Sequence, residues 1–138
     1  MLSFLLKKHC LTIAVAVLLF SSCQKALKPE QLYGKWKYIR IENANKSSPD
    51  SVRAYELQAE KPYIEFDAKD SLHIWWGGRV LTRGTYKVTD QMIQVNEVLP
   101  DGQTRRFPFY VSKITDRDLV FETRGDEGSK VTTVKEDE

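Results

Sequence analysis

Cysteine and histidine are almost missing from this chain. The cysteines are Cys10 and Cys23, and the histidines are His9 and His73. No disulfide framework or thiolate metal site can be built beyond residue 23. His73 alone, without a second histidine or a thiolate, makes a poor metal ligand, so neither a metal nor any other cofactor is expected. Net charge is missing too. The formal charge is +2, and setting aside Lys7 and Lys8 leaves 19 basic and 19 acidic side chains. A neutral chain has no field to attract nucleic acid, so no nucleic-acid partner is expected. There is no Gly-x-Ser-x-Gly, phosphate loop or dinucleotide fingerprint. A triad would have to use His73, and nothing places a serine beside it. No catalytic residue is therefore assigned, and the chain is read as not being an enzyme. Heptads, long repeats and low-complexity segments are absent as well, and 138 residues suffice for one ordinary domain.

What is present begins with an address. Lys7 and Lys8 precede an apolar run, Leu11 to Phe20, broken only by Thr12. Ten residues fall short of the roughly 20 needed to span a bilayer. A basic start, a short apolar run and small residues describe a secretory signal. Phe20-Ser21-Ser22-Cys23 resembles the lipobox of bacterial lipoprotein precursors, with Phe20 where Leu is usual. The resemblance implies cleavage after residue 22 and a lipid-modified Cys23, hence a membrane partner reached through the N-terminal lipid. Two or three acyl chains make such anchoring stable. Gln24 stands where an aspartate is associated with inner-membrane retention, which points to the cell outer membrane. The basic Gln24-Lys25-Ala26-Leu27-Lys28 points to a lipid-anchored protein facing the periplasm. The expected organisation is a signal peptide over 1–22, a lipidated cysteine and tether over 23–30, and a folded domain over 31–138.

From Lys35 the pattern has period two. It predicts strands at Lys35–Glu42, Tyr63–Phe66, Ser71–Trp76, Arg79–Val88, Met92–Val98, Arg105–Ile114, Leu119–Thr123 and Lys130–Lys135. Residues 43–61 are expected to be a loop with a short helix from Ser51 to Ala59, its buried side lined by Val52, Tyr55 and Ala59. A helical turn is expected after Pro29. Asp67-Ala68-Lys69-Asp70, Gly77-Gly78 and Pro100-Asp101-Gly102 are turn signals. Eight strands with short connections predict an all-β, antiparallel up-and-down barrel, which removes unpaired edges. Its inward set is Ile64, Phe66, Leu72, Ile74, Trp76, Tyr86, Val88, Ile93, Val95, Phe107, Phe109, Val111, Leu119 and Phe121. Pro108 cannot donate to the ladder and marks a bulge or a local opening.

Leu32-x-Gly34-x-Trp36, opening the first strand, resembles the start motif of the lipocalins. Two further stretches, Gly84-Thr85-Tyr86-Lys87-Val88 and Ile114-Thr115-Asp116-Arg117-Asp118-Leu119-Val120-Phe121, are similar to the lipocalin-like domains of small bacterial lipoproteins. The resemblance implies a lipocalin-like barrel in which Trp36 plugs the closed end, Gly34 lets the chain pass beneath it, and Arg124 lies against the Trp36 ring. The transport lipocalins' Thr-Asp-Tyr signature is missing, because Arg117 follows Thr115-Asp116.

Two sets of residues are candidates for binding. If Leu72, Ile74 and Trp76 point inward, Trp75 and His73 point outward, and Tyr63 shares that outer side. Trp75 then either anchors a partner or is covered by the 43–61 segment. Inward Trp76, Tyr86 and Phe109 would meet a small ligand inside the barrel. The function expected is a non-catalytic binding module of the cell envelope, for an envelope protein partner or a small hydrophobic ligand. The alternatives are a periplasmic inhibitor resembling the lysozyme inhibitors, and a hydrolase of unknown type.

Overall fold

The computed structural model describes residues 25–44, 52–126 and 128–137. The expected signal peptide over 1–22 and the expected lipidation site Cys23 lie outside the described residues. Eight strands are found among the described residues: β1 (Gly34–Asn43), β2 (Tyr63–Phe66), β3 (Ser71–Trp76), β4 (Arg79–Thr89), β5 (Met92–Val98), β6 (Thr104–Ile114), β7 (Asp118–Glu122) and β8 (Ser129–Lys135). Each pairs antiparallel with the next, and β8 returns to β1, closing the barrel. The all-β, eight-stranded, up-and-down architecture expected from the period-two pattern is the one present.

Alternation decides what fills the barrel. Ile64 and Phe66, Leu72 and Ile74, Ile93 and Val95, and Leu119 and Phe121 are buried in one cluster with Trp36, Tyr38 and Tyr86. Three bulges interrupt the alternation. An extra residue stands in β1 at Ile39, in β4 at Leu81 and in β6 at Ser112, where the registers shift. Each bulge bends its strand and reverses which parity faces inward. That is why Ile41 joins the core although Trp36 and Tyr38 set an even-numbered face, and why Ile114 packs on it after Phe107, Phe109 and Val111. Ile39 and Leu81, turned out of the ladder, are 47% and 64% exposed.

Pro108 sits in register opposite Gln94 and forms no bulge. Val111 N donates to Gln91 O, so the odd-numbered amides of this stretch of β6 face β5. The missing amide of Pro108 therefore falls on the opposite side, where pairing with β7 begins only at Tyr110. Of the two expectations for Pro108, the local opening is the one found, and it leaves no ladder donor unmade.

The helix over this region, α1 (Ala54–Glu60), differs from its expectation in which side is buried. Leu57 enters the core, whereas Tyr55 is 63% exposed and Ala59 is also exposed. Leu57 lies two residues from both, about 200° around the helix, so one face cannot bury all three. Val52 precedes the helix and bridges to Ile41 as a strand residue.

Candidate functional site

The barrel has two ends with different chemistry. At the first, Gly34 has φ +113, a conformation costly for any side chain. It lets the chain turn from a 3-10 turn at Pro29–Gln31 into β1. Trp36 is fully buried, and its Nε1 donates to Leu32 O at 2.7 Å. A local i, i+4 hydrogen bond thus fixes the buried Trp36 ring.

Arg124 does not lie against this ring. β7 runs away from the Trp36 end and finishes at Glu122, so Arg124 emerges at the far end. There its guanidinium lies 3.6 Å from the centre of the Tyr110 ring. The cation over Trp36 is Lys135, with Nζ 5.1 Å from the ring centre. It closes β8, whose last residue pairs with Trp36. Sequence reasoning missed Lys135. The signal was available in barrel closure itself, which puts the end of the last strand beside the start of the first.

The expected tether also differs. Lys25 O accepts from Gln91 Nε2 at 2.8 Å, Leu27 N donates to Asp90 O at 2.8 Å, and Leu27 is buried. An apolar side chain next to a hydrophobic end binds it instead of staying in water. From Lys25 onward the segment belongs to the barrel.

Of the inward binding candidates, Tyr86 and Phe109 are core side chains, 2% and 5% exposed. Tyr86 Oη donates to Asp67 O at 2.9 Å, and Phe109 packs against Phe121 with ring centres 4.7 Å apart. Trp76 is half-buried at the far end. The same rim holds Glu97, a buried carboxylate. Arg105 donates to its Oε2 through Nη2 at 2.6 Å and Nε at 3.0 Å.

The outer candidates do come together. Tyr63 pairs with Trp75, which pairs with Val80. The Tyr63 and Trp75 rings stack at 5.8 Å and 17°, and Lys35 Nζ lies 4.7 Å from the Tyr63 ring centre. Val80 is 43% exposed, beside the bulged Leu81. This row across β2, β3 and β4 is apolar on the solvent side of a barrel whose inner side is already filled. Trp75 Nε1 is buried and has no acceptor among the described residues. The described part of the 43–61 segment sends Leu57 to the core and reaches the β3–β4 turn, where Gly77 N donates to Glu60 O. Residues 45–51 lie outside the described residues. Val80-Leu81, two apolar residues where alternation calls for one, was the overlooked signal.

His73 faces outward between Glu65 and Arg83 in the register. Asp67 serves its turn: its Oδ1 accepts from Lys69 N and Ser71 N, and these bonds, the one from Ser71 first, hold its carboxyl below the ordinary value. Among the described residues no three His, Cys, Asp or Glu side chains are grouped to hold a metal ion. No helix among them is long and apolar enough to cross a membrane.

Two phenols inside the barrel make stability depend on alkaline pH. Burial pushes Tyr38 well above its ordinary value; burial and then the nearby Tyr33, Asp70, Asp67 and Glu30 push Tyr86 up. Unfolded tyrosine titrates near pH 10. Above about that pH the unfolded chain releases protons that the folded chain keeps, so stability falls as pH rises. Urea midpoints should drop between pH 9 and pH 11. Tyr38→Phe with Tyr86→Phe should flatten that drop, and an equally steep decline in the double variant would refute the assignment.

No protein-family model matches the sequence, and no curated protein does. Solved structures do resemble it. A lipocalin-like protein from Bacteroides uniformis superposes with a TM-score of 0.53 at 16% identity, over 77% of this chain and 99% of the other. An uncharacterized protein from Bacteroides eggerthii gives 0.52 at 16%, over 76% and 99%. At this identity the likeness concerns the fold. The fold is a lipocalin-like, closed eight-stranded antiparallel barrel.

Proposed function

We propose that this protein is a lipid-anchored, non-catalytic binding protein of the cell envelope. It is held at the outer membrane through Cys23, faces the periplasm, and contacts an envelope protein through the outer face of β2, β3 and β4. The observation that carries this reading is the row Tyr63, Trp75 and Val80 with Leu81, apolar side chains on the outside of a closed barrel. Tyr63 and Trp75 are half-buried in this row and flanked by the exposed Val80 and Leu81, and large aromatic side chains are among the residue types that dominate protein interfaces. The barrel interior, by contrast, is occupied by Trp36, Phe66, Tyr86 and Phe121. The lipobox-like Ser21-Ser22-Cys23 supports the anchor.

The test has two arms. A clickable fatty acid should label the wild-type protein, and Cys23→Ala should abolish the label; a labelled Cys23→Ala protein overturns the anchor. In a strain lacking the gene, Trp75→Ala at matched membrane level should fail to restore function while His73→Ala succeeds. The reverse pattern would put covalent chemistry ahead of binding.

One observation favours a second reading. Phe107, half-buried beneath Arg105 of the Glu97–Arg105 pair, and the half-buried Trp76 offer apolar surface and an ionic group at the far rim. They would suit a small amphipathic ligand. A native mass spectrum of protein taken from its own membrane separates the two readings, by a small bound mass against a co-purifying chain.

A further inference from the structure

We infer that the Trp36 end of the barrel lies against the lipid headgroups and that the far end, with the Trp75 row beside it, points away from the membrane. The inference rests on the lipid-anchor reading and adds an orientation to it.

The argument starts from where the chain becomes fixed. Lys25 O accepts from Gln91 Nε2, and Leu27 N donates to Asp90 O. Leu27 is 5% exposed within the core cluster, and Leu32 follows it at 0%. Two hydrogen bonds and two buried leucines thus pin the segment at the β4–β5 turn. Only two residue steps separate Cys23 from Lys25, a reach of at most about 7 Å. A free tether from Cys23 to Pro29 would have reached about three times as far and left the barrel to tumble.

The surroundings of the pinned segment are the membrane-facing surface. The β4–β5 turn, the β6–β7 turn and the end of β8 all lie at this end, as the registers require. The charges at this end are of both signs, and two ion pairs close within it: Lys113 with Asp118 at 3.3 Å, and Arg117 with Asp137 at 3.1 Å. The orientation is therefore set by the short tether and not by anionic lipid, so it should persist in zwitterionic vesicles and at high salt. At about 3.3 Å per residue along tilted strands, the opposite turns stand about 25 Å farther out. Trp75 and Val80, at the end of β3 and the start of β4, are on that distant half. A partner can then reach the aromatic row from the aqueous side.

The experiment uses full-length lipidated protein purified from its membrane and placed in phosphatidylcholine vesicles carrying a headgroup spin label. Beyond Cys23 the chain has no cysteine, so Asp116→Cys and Gln103→Cys give single fluorophore sites at the two ends. Quenching should be several-fold stronger at position 116 than at 103, and unchanged by salt. Inserting twelve Gly/Ser residues between Gln24 and Lys25 leaves the barrel untouched and should remove most of the difference, because the tether then spans about 20 Å. Protein that fails to float with the vesicles overturns the anchor and the orientation together. Protein that floats with equal quenching at both positions, or stronger quenching at 103, overturns the orientation alone.

Discussion

Trp36→Ala is expected to cost about 3–5 kcal/mol, a large part of the about 5–15 kcal/mol available to a domain of this size. The side chain is 0% exposed, so its whole ring volume becomes a cavity. The loss is also polar. Nε1 donates to Leu32 O, on a residue that is itself fully buried. Trp36→Phe should restore most of the apolar contact yet leave that carbonyl unpaired, a cost of about 1–3 kcal/mol. The two variants should fall in that order in guanidinium midpoints, measured on the chain starting at Gln24. Lys135→Ala should couple to Trp36→Ala by about 0.5–1 kcal/mol, since a cation over an indole face is lost only once. Arg124→Ala, at the other end of the barrel, should be additive with it. A midpoint unmoved by Trp36→Ala would mean that the plug does not hold the barrel.

Gly84→Ala is expected to be nearly as damaging, although it adds a single methyl group. A Cβ at Gly84 would stand 2.1 Å from Asn96 O and 2.9 Å from Glu97 Cα. Both belong to the β5 backbone that pairs with β4, and neither can swing aside like a side chain. The strands must part, and overpacking of this kind costs about 1–3 kcal/mol, occasionally more. The upper end applies here. Amide exchange in β4 and β5 should accelerate more than elsewhere. Gly78→Asn makes a fair comparison: its site has φ +76 and no heavy atom within 4 Å, and asparagine tolerates that region. Equal midpoints for the two variants would show that β4 and β5 separate without penalty.

Both effects were partly legible beforehand, for different reasons. Leu32-x-Gly34-x-Trp36 marks a plug through its resemblance to the lipocalin start motif, which implies that role for the tryptophan. Gly84 stood within a recognisable stretch, but its reason, a backbone passing 2.1 Å from where a methyl would be, exists only once β4 and β5 are paired. The Arg124 expectation failed on direction. Antiparallel β7 carries its end away from Trp36, and the partner came from β8.

Strand number, order and class followed from local information. Alternating polarity is a property of neighbouring residues, and Gly77-Gly78 or Pro100-Asp101-Gly102 turn a chain wherever they occur. The near absence of cysteine and histidine likewise limited the chemistry with no structure at all. Three features needed the tertiary structure. The bulges at Ile39, Leu81 and Ser112 reverse the parity of a strand, and only closure of the ring determines where an extra residue must stand. The docking of Leu27 depends on an apolar site assembled from distant strands. The meeting of Tyr63, Trp75 and Val80 depends on the registers of two pairings, and no spacing along the chain encodes those, because residues 63 and 80 become neighbours of 75 only when three strands lie side by side.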